Sequence, residues 1–177
     1  PTAYCPPKSS RGAGERDLAG RGIRVLVLCE DQAHQRFAQY CLKELDFHSR
    51  ELRFALAPGG RGAAEAWVRK RYPNEVQTQR SKANHQRAGL LAVIDADNAT
   101  VKSRLEQLDA ALDQQGMERR SPRERIAIWV PRRNIESWIA SLVGQEVDES
   151  TKLARTARSE EFVRAAVQFE AWYRNPQ

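Results

Sequence analysis

Apolar residues in this chain follow two rhythms. Residues 23–29 are apolar apart from Arg24 and Cys29, and residues 90–94 are apolar throughout. With "RIAIWVP" at 125–131, these short runs predict strands buried on both faces, as in a parallel sheet. A further segment, "ELRFALAP" at 51–58, alternates enough for a strand and is stopped by Pro58-Gly59-Gly60. Between these runs the spacing lengthens to that of a helix. Ala33, Phe37, Cys41 and Leu45 recur every four residues, with Tyr40 and Leu42 beside them. That stripe predicts an amphipathic helix of about 14 residues. "GAAEAWVRKRY" at 62–72 favours a helix, whereas the polar, basic residues 73–88 carry no pattern that assigns a state. Val101, Leu105, Leu108 and Leu112 share a helical stripe ending near Gly116, and "NIESWIASLVG" at 134–144 predicts another short helix. Over 159–173 the face is made by Phe162, Ala166, Phe169 and Trp172 or Tyr173. The resulting order, β-α-β-α-β-α-β-α, predicts an α/β fold with a central parallel sheet of about four strands flanked by helices.

The organisation expected from this pattern is a flexible basic arm at 1–20, an α/β domain at 21–144 and a helical C-terminal extension at 145–177. The composition of the 177 residues, 41% hydrophobic and 29% charged, is that of an ordinary globular domain. No run approaches the roughly 18 apolar residues of a membrane span, and no secretory signal is recognisable, so a cytoplasmic protein is expected. Cys29 on a strand and Cys41 on a helical stripe read as reduced core residues, and Cys5 lies in the arm. A thiol nucleophile at Cys29 is disfavoured, because no histidine pairing is visible. The net charge of +6 suits a polyanionic partner. Basic residues cluster at 8–24, 69–87, 119–133 and 152–164, although such clusters are more often generic solvated faces.

Ligands of open parallel sheets bind beyond the carboxyl ends of the strands, and the acids of this chain gather there. The first strand ends in Glu30-Asp31 and the third in Asp95-Ala96-Asp97. The fourth is followed by Arg132, Arg133 and, one helical turn later, Glu136. Carboxylates converging from separate strands need a cation between them. An oxygen-only set without a neighbouring His or Cys points to Mg²⁺ or Mn²⁺ rather than zinc. The competing explanation is local: one of Asp97, Asn98 or Thr100 caps the next helix, and Glu30-Asp31 are acids favoured at a helix start. Capping leaves Asp95 without a structural reason.

A strand ending in Glu, a β-α-β unit and a strand ending in Asp-x-Asp together resemble the TOPRIM domain of topoisomerases, primases and OLD-family nucleases. "PRRNIESW" at 131–138 is similar to an element found after the fourth strand in small relatives from bacterial defence and mobile-element systems. The resemblance covers about residues 23–144, and departs from the family where Asp31 replaces the glycine that often follows the glutamate. It implies a TOPRIM-like fold and a Mg²⁺- or Mn²⁺-dependent nuclease with Glu30, Asp95 and Asp97 as catalytic and metal-binding residues. Glu136 matches the later acid and is a further candidate metal ligand. The resemblance also implies nucleic acid as partner, DNA before RNA, and an ATPase working alongside; a homo-oligomer is left open. Arg132, Arg133, Lys82 and Arg87 are candidate phosphate contacts. Asp31 is a candidate auxiliary carboxylate, and His34, a turn after Glu30, a candidate proton or phosphate donor. Two alternatives stand beside this reading. One is a non-catalytic metal- or nucleic-acid-binding partner module, docking through Trp172 and the last helix. The other is a receiver-like phosphoacceptor, suggested by "VLVLCED" but opposed by the second aspartate.

Overall fold

The computed structural model describes residues 22–58, 63–148 and 157–175. The expected arm at 1–20, with Cys5, and the glycine-rich turn at 59–62 lie outside the described residues. Within them the chain forms β1 (Arg24–Cys29), α1 (Gln32–Glu44), a 3-10 turn (Ser49–Glu51), β2 (Leu52–Leu56), α2 (Ala64–Lys82) and β3 (Ala88–Val93). α3 (Val101–Asp113), β4 (Ile126–Trp129), α4 (Ile135–Leu142) and α5 (Ser159–Arg174) follow. The four strands are parallel, in the order β2-β1-β3-β4. The α/β architecture with a four-stranded parallel sheet and flanking helices is therefore as the pattern predicts, and it is Rossmann-like.

Alternation along the strands builds a core on each face of the sheet. Val25, Val27, Cys29, Leu91, Val93 and Trp129 face α1, α4 and α5. Leu28, Leu90, Ala92, Ile94, Ile126 and Ile128 face α2 and α3. The winding explains this division. From β1 the chain moves outward to β2, then returns across β1 to β3. Crossovers of one hand put α1 and α2 on opposite faces when the direction reverses.

α2 is longer than the pattern predicts. It runs through Pro73 to Lys82 and absorbs much of the segment that carried no assignment. Pro73 removes one intrahelical hydrogen bond, but Tyr72 and Val76 on either side of it are fully buried and hold the helix against the sheet. The last helix also corrects an expectation. Its apolar face is no free docking surface, since Phe162, Ala165, Ala166 and Phe169 are buried in the core formed with α1, α4 and the sheet. Phe169 meets Trp129, Trp138 and Phe37 at ring-centroid distances of 4.8, 5.7 and 6.0 Å. Trp129 and Trp138 are thus core residues, and Trp172 is half-buried against Phe169 at 5.8 Å. No helix among the described residues is long and apolar enough to cross a membrane.

Candidate metal centre at the β1/β3 strand ends

The strand order reverses direction between β1 and β3, and this topological switch point is where open α/β sheets open a crevice for ligands. Cys29 and Val93 are register partners, so the residues that follow them emerge side by side. Beyond β3 the chain keeps pairing with the segment after β4. Ile94, Ala96 and Asp97 donate their N–H groups to the carbonyls of Trp129, Pro131 and Arg133 at 3.1, 2.9 and 3.0 Å. The N–H of Asp95 points the other way, towards β1, whose last strand residue is Cys29. The Glu30 side chain takes it, with Oε1 accepting from Asp95 N at 2.6 Å. Two acids 65 residues apart are thereby joined.

Asp31 is the N-cap of α1, its Oδ1 accepting from Ala33 N at 2.8 Å and His34 N at 3.0 Å. The same oxygen lies 2.8 Å from His34 Nδ1. The other ring nitrogen, Nε2, lies 2.9 Å from Asp95 Oδ1. His34 is 1% exposed and Asp95 5% exposed, so this contact is shielded from solvent. Both ring nitrogens face carboxylate oxygens, an arrangement satisfied when His34 is the doubly protonated imidazolium.

The electrostatics follow from this crowding. Burial, then the charge of Asp95, push Glu30 up to about 7. The positive charge of His34 and the Asp95 N–H oppose that rise, and the charge of Asp97 adds to it. Burial works against a charged His34, yet the charge of Asp95 and the hydrogen bonds to Asp31 and Asp95 outweigh it and raise the imidazole well above its ordinary value. Burial also opposes ionisation of Asp31, but the His34 contacts and the two capped N–H groups prevail and hold it at about 2. Cys29 lies beneath the same acids. Burial and the charges of Asp31 and Glu30 push its thiol up to about 12, so the buried Cys29 stays protonated and is no nucleophile.

The remaining predicted residues divide by position. Asp97 follows Ala96 on the same loop, half-buried, with φ of +51°. An Asp tolerates this left-handed conformation better than most residues, and such departures cluster at functional sites. Asp97 does not cap α3. Thr100 does, its hydroxyl accepting from Ser103 N at 3.0 Å. Glu136 stands in the first turn of α4, and burial, then the charges of Asp95 and Asp31, raise its carboxyl. It belongs to the same field. Arg132 and Arg133 lie on the β4–α4 loop at this edge, but Arg133 is a brace: Nη1 donates to Asp97 O at 3.0 Å and to Asn98 Oδ1 at 3.4 Å. Lys82 and Arg87 are not part of the site. Lys82 ends α2 and Arg87 precedes β3, which puts both at the opposite edge of the sheet, about 20 Å away for a six-residue strand.

Two supporting residues gave little sequence signal. Asn134 caps α4 through Ser137 N at 3.3 Å and donates Nδ2 to Glu136 Oε2 at 2.8 Å. Its place just before "IESW" is an N-cap pattern. Arg104, 6% exposed on α3, ion-pairs with Glu65 of α2 and donates Nη2 to Ala96 O at 3.3 Å, between the two aspartates. Its spacing, four residues before Leu108 and eight before Leu112, puts it on the buried stripe of α3, the one signal that could have found it.

Glu30, His34 and Asp95 each offer one ligand atom, and these atoms lie within 4.8 Å of one another. That is about twice a metal–oxygen bond of 2.0–2.6 Å, so the three could hold one ion. The histidine corrects the expectation of an oxygen-only set. Comparison of the chain with family models, curated proteins and solved structures finds no match.

Proposed function

We propose that this chain is a TOPRIM-type, metal-dependent nuclease hydrolysing phosphodiester bonds of nucleic acid, with DNA the first substrate to assay. The observation that carries the reading is the junction of Glu30 with Asp95 across the β1/β3 switch point, with Asp97 on the same loop. Glu30 and Asp95 would hold Mg²⁺ or Mn²⁺, with Asp97 and Glu136 on the approach. When bound, the ion supplies Lewis-acid stabilisation of a phosphoryl oxygen and a water acidic enough to attack at neutral pH.

The chain's own residues have separable tasks. Without the ion, burial and the Asp95 charge hold the Glu30 carboxyl at about 7; a bound cation would favour the charged form, so Glu30 would give up its proton on loading and serve as a ligand. His34, buried with Nδ1 held by Asp31 and Nε2 turned to Asp95, is too enclosed to reach a leaving group. Arg133 and Arg104 hold the Asp95–Asp97 loop by its carbonyls. Arg132, exposed on the same edge, is placed to meet a phosphate. Through its resemblance to the small TOPRIM relatives, the proposal extends to a bacterial defence or mobile-element setting with a partner ATPase.

Plasmid incubated with Mg²⁺ or Mn²⁺ tests this. The native chain nicks or linearises it, and Asp95→Ala and Asp97→Ala do not. Equal inertness of all three on DNA and RNA rejects the nuclease and leaves a non-catalytic module. The strand order β2-β1-β3-β4 also favours a second reading, because receiver-type phosphoacceptors share it. A stable aspartyl phosphate formed from a small phosphodonor would support that reading.

A further inference from the structure

We propose that the strand-end site is a mixed nitrogen and oxygen centre, with His34 Nε2 a ligand beside Glu30 and Asp95, and that it takes Mn²⁺ or a neighbouring first-row divalent ion in preference to Mg²⁺. The inference rests on the reading that these acids hold a divalent cation, and adds which kind.

Three features point to it. The His34 ring is sealed from solvent, yet Nε2 is turned into the carboxylates rather than the apolar core. Its other nitrogen is held by Asp31 Oδ1 at 2.8 Å. Metal-binding histidines carry this support, a carboxylate on the far nitrogen that fixes the ring and raises its basicity. Capping of α1 does not account for it, because a cap needs only the backbone N–H groups of Ala33 and His34, and Asp31 takes the ring as well. The donor chemistry then selects. Mg²⁺ demands an octahedral shell of oxygens and gives up its waters reluctantly, whereas an imidazole beside two carboxylates suits the first-row transition ions; Mn²⁺ is the weakest binder of that series, so its preference over Mg²⁺ is the least the site must show. On loading, Nε2 would release its proton to solvent and offer its lone pair to an ion held beside it by the carboxylates.

The test is Mn²⁺ binding by the full chain, followed by electron paramagnetic resonance, with Mg²⁺ as competitor. The native chain is expected to bind Mn²⁺ on the order of tenfold or more tightly than Mg²⁺, and pulsed spectra to carry ¹⁴N coupling from the imidazole. His34→Gln removes the coupling and the preference while leaving Mg²⁺ binding in place. Asp31→Asn keeps a competent N-cap and weakens Mn²⁺ binding about 10- to 100-fold. If His34→Gln does not fold, the native spectrum and Asp31→Asn carry the test. Mn²⁺ bound without ¹⁴N coupling, lost in Asp95→Asn and no tighter than Mg²⁺, overturns this inference and leaves the cation reading standing. Failure of the native chain to bind either ion overturns both.

Discussion

Replacing Glu30 by Gln tests whether the strand-end carboxylates are as crowded as their geometry implies. Gln keeps an oxygen that accepts the Asp95 N–H but carries no charge. In the folded chain Glu30 titrates at about 7, against an ordinary value of 4.5. Between those values the folded state binds more protons than the unfolded one, so stability falls as pH rises through that window and the loss is complete above it. A gap of about 2.5 pH units at about 1.4 kcal/mol each makes the full cost about 3 kcal/mol. Between pH 5.5 and 8 the native chain should therefore lose about 2 kcal/mol relative to Glu30→Gln. His34, raised well above 6.5, contributes stability that is full below 6.5 and fades as pH passes its folded value. That contribution is present in both proteins and cancels to first order in their difference. Urea denaturation in the presence of a chelator, at several pH values between 5.5 and 8, measures the difference. At pH 8, where the full cost of about 3 kcal/mol applies, the variant should melt about 6–12 °C higher. Parallel stability profiles for the two proteins would refute the reasoning, because Glu30 would then titrate as an ordinary surface carboxyl.

Three further substitutions separate scaffold from site. Asp97→Ala puts a methyl side chain at a φ of +51° and should cost about 1 kcal/mol, whereas Asp97→Gly should not destabilise; urea titration reads the stability, and neither variant should cleave nucleic acid. Thr100→Ala removes the α3 cap at a cost of about 1 kcal/mol, with divalent-ion affinity measured by calorimetry unchanged. Arg104→Met leaves a partly buried Glu65 with only its pair to Arg69, and Ala96 O with only Ala99 N; a loss of about 1–2 kcal/mol is expected, below the range for fully buried pairs. Mn²⁺ affinity should fall with it, because the loop carrying both aspartates slackens.

The strands were legible because parallel strands buried on both faces leave unbroken apolar runs, as Leu90 to Ile94 does. The acids at their ends were legible for the same reason, since a charge directly after such a run must sit at a sheet edge. Which acids meet was not legible, because Glu30 touches Asp95 only through the order β2-β1-β3-β4, and no local pattern encodes strand order. His34 could be placed near Glu30 by helical spacing, but its bond to Asp95 depends on the same order, so the site was read as oxygen-only. Lys82 and Arg87 read as phosphate contacts from their charge, because the reach of α2 is hidden in the sequence. Pro73 and a run of polar residues disguised a helix that carries Lys82 to the far edge. The cap at Thr100 is one of three local possibilities, and the start of α3 at Val101, with Thr100 accepting from Ser103 N, decides among them.

The most direct measurement of the central claim is the rate at which the full chain cleaves an end-labelled DNA duplex with and without Mn²⁺ or Mg²⁺, beside Asp95→Asn. The account predicts cleavage that requires the ion and falls at least about 100-fold in the variant, as expected for loss of a group that stabilises the transition state. Cleavage that persists undiminished in Asp95→Asn, or a native chain that binds no divalent ion and cleaves nothing, would contradict it.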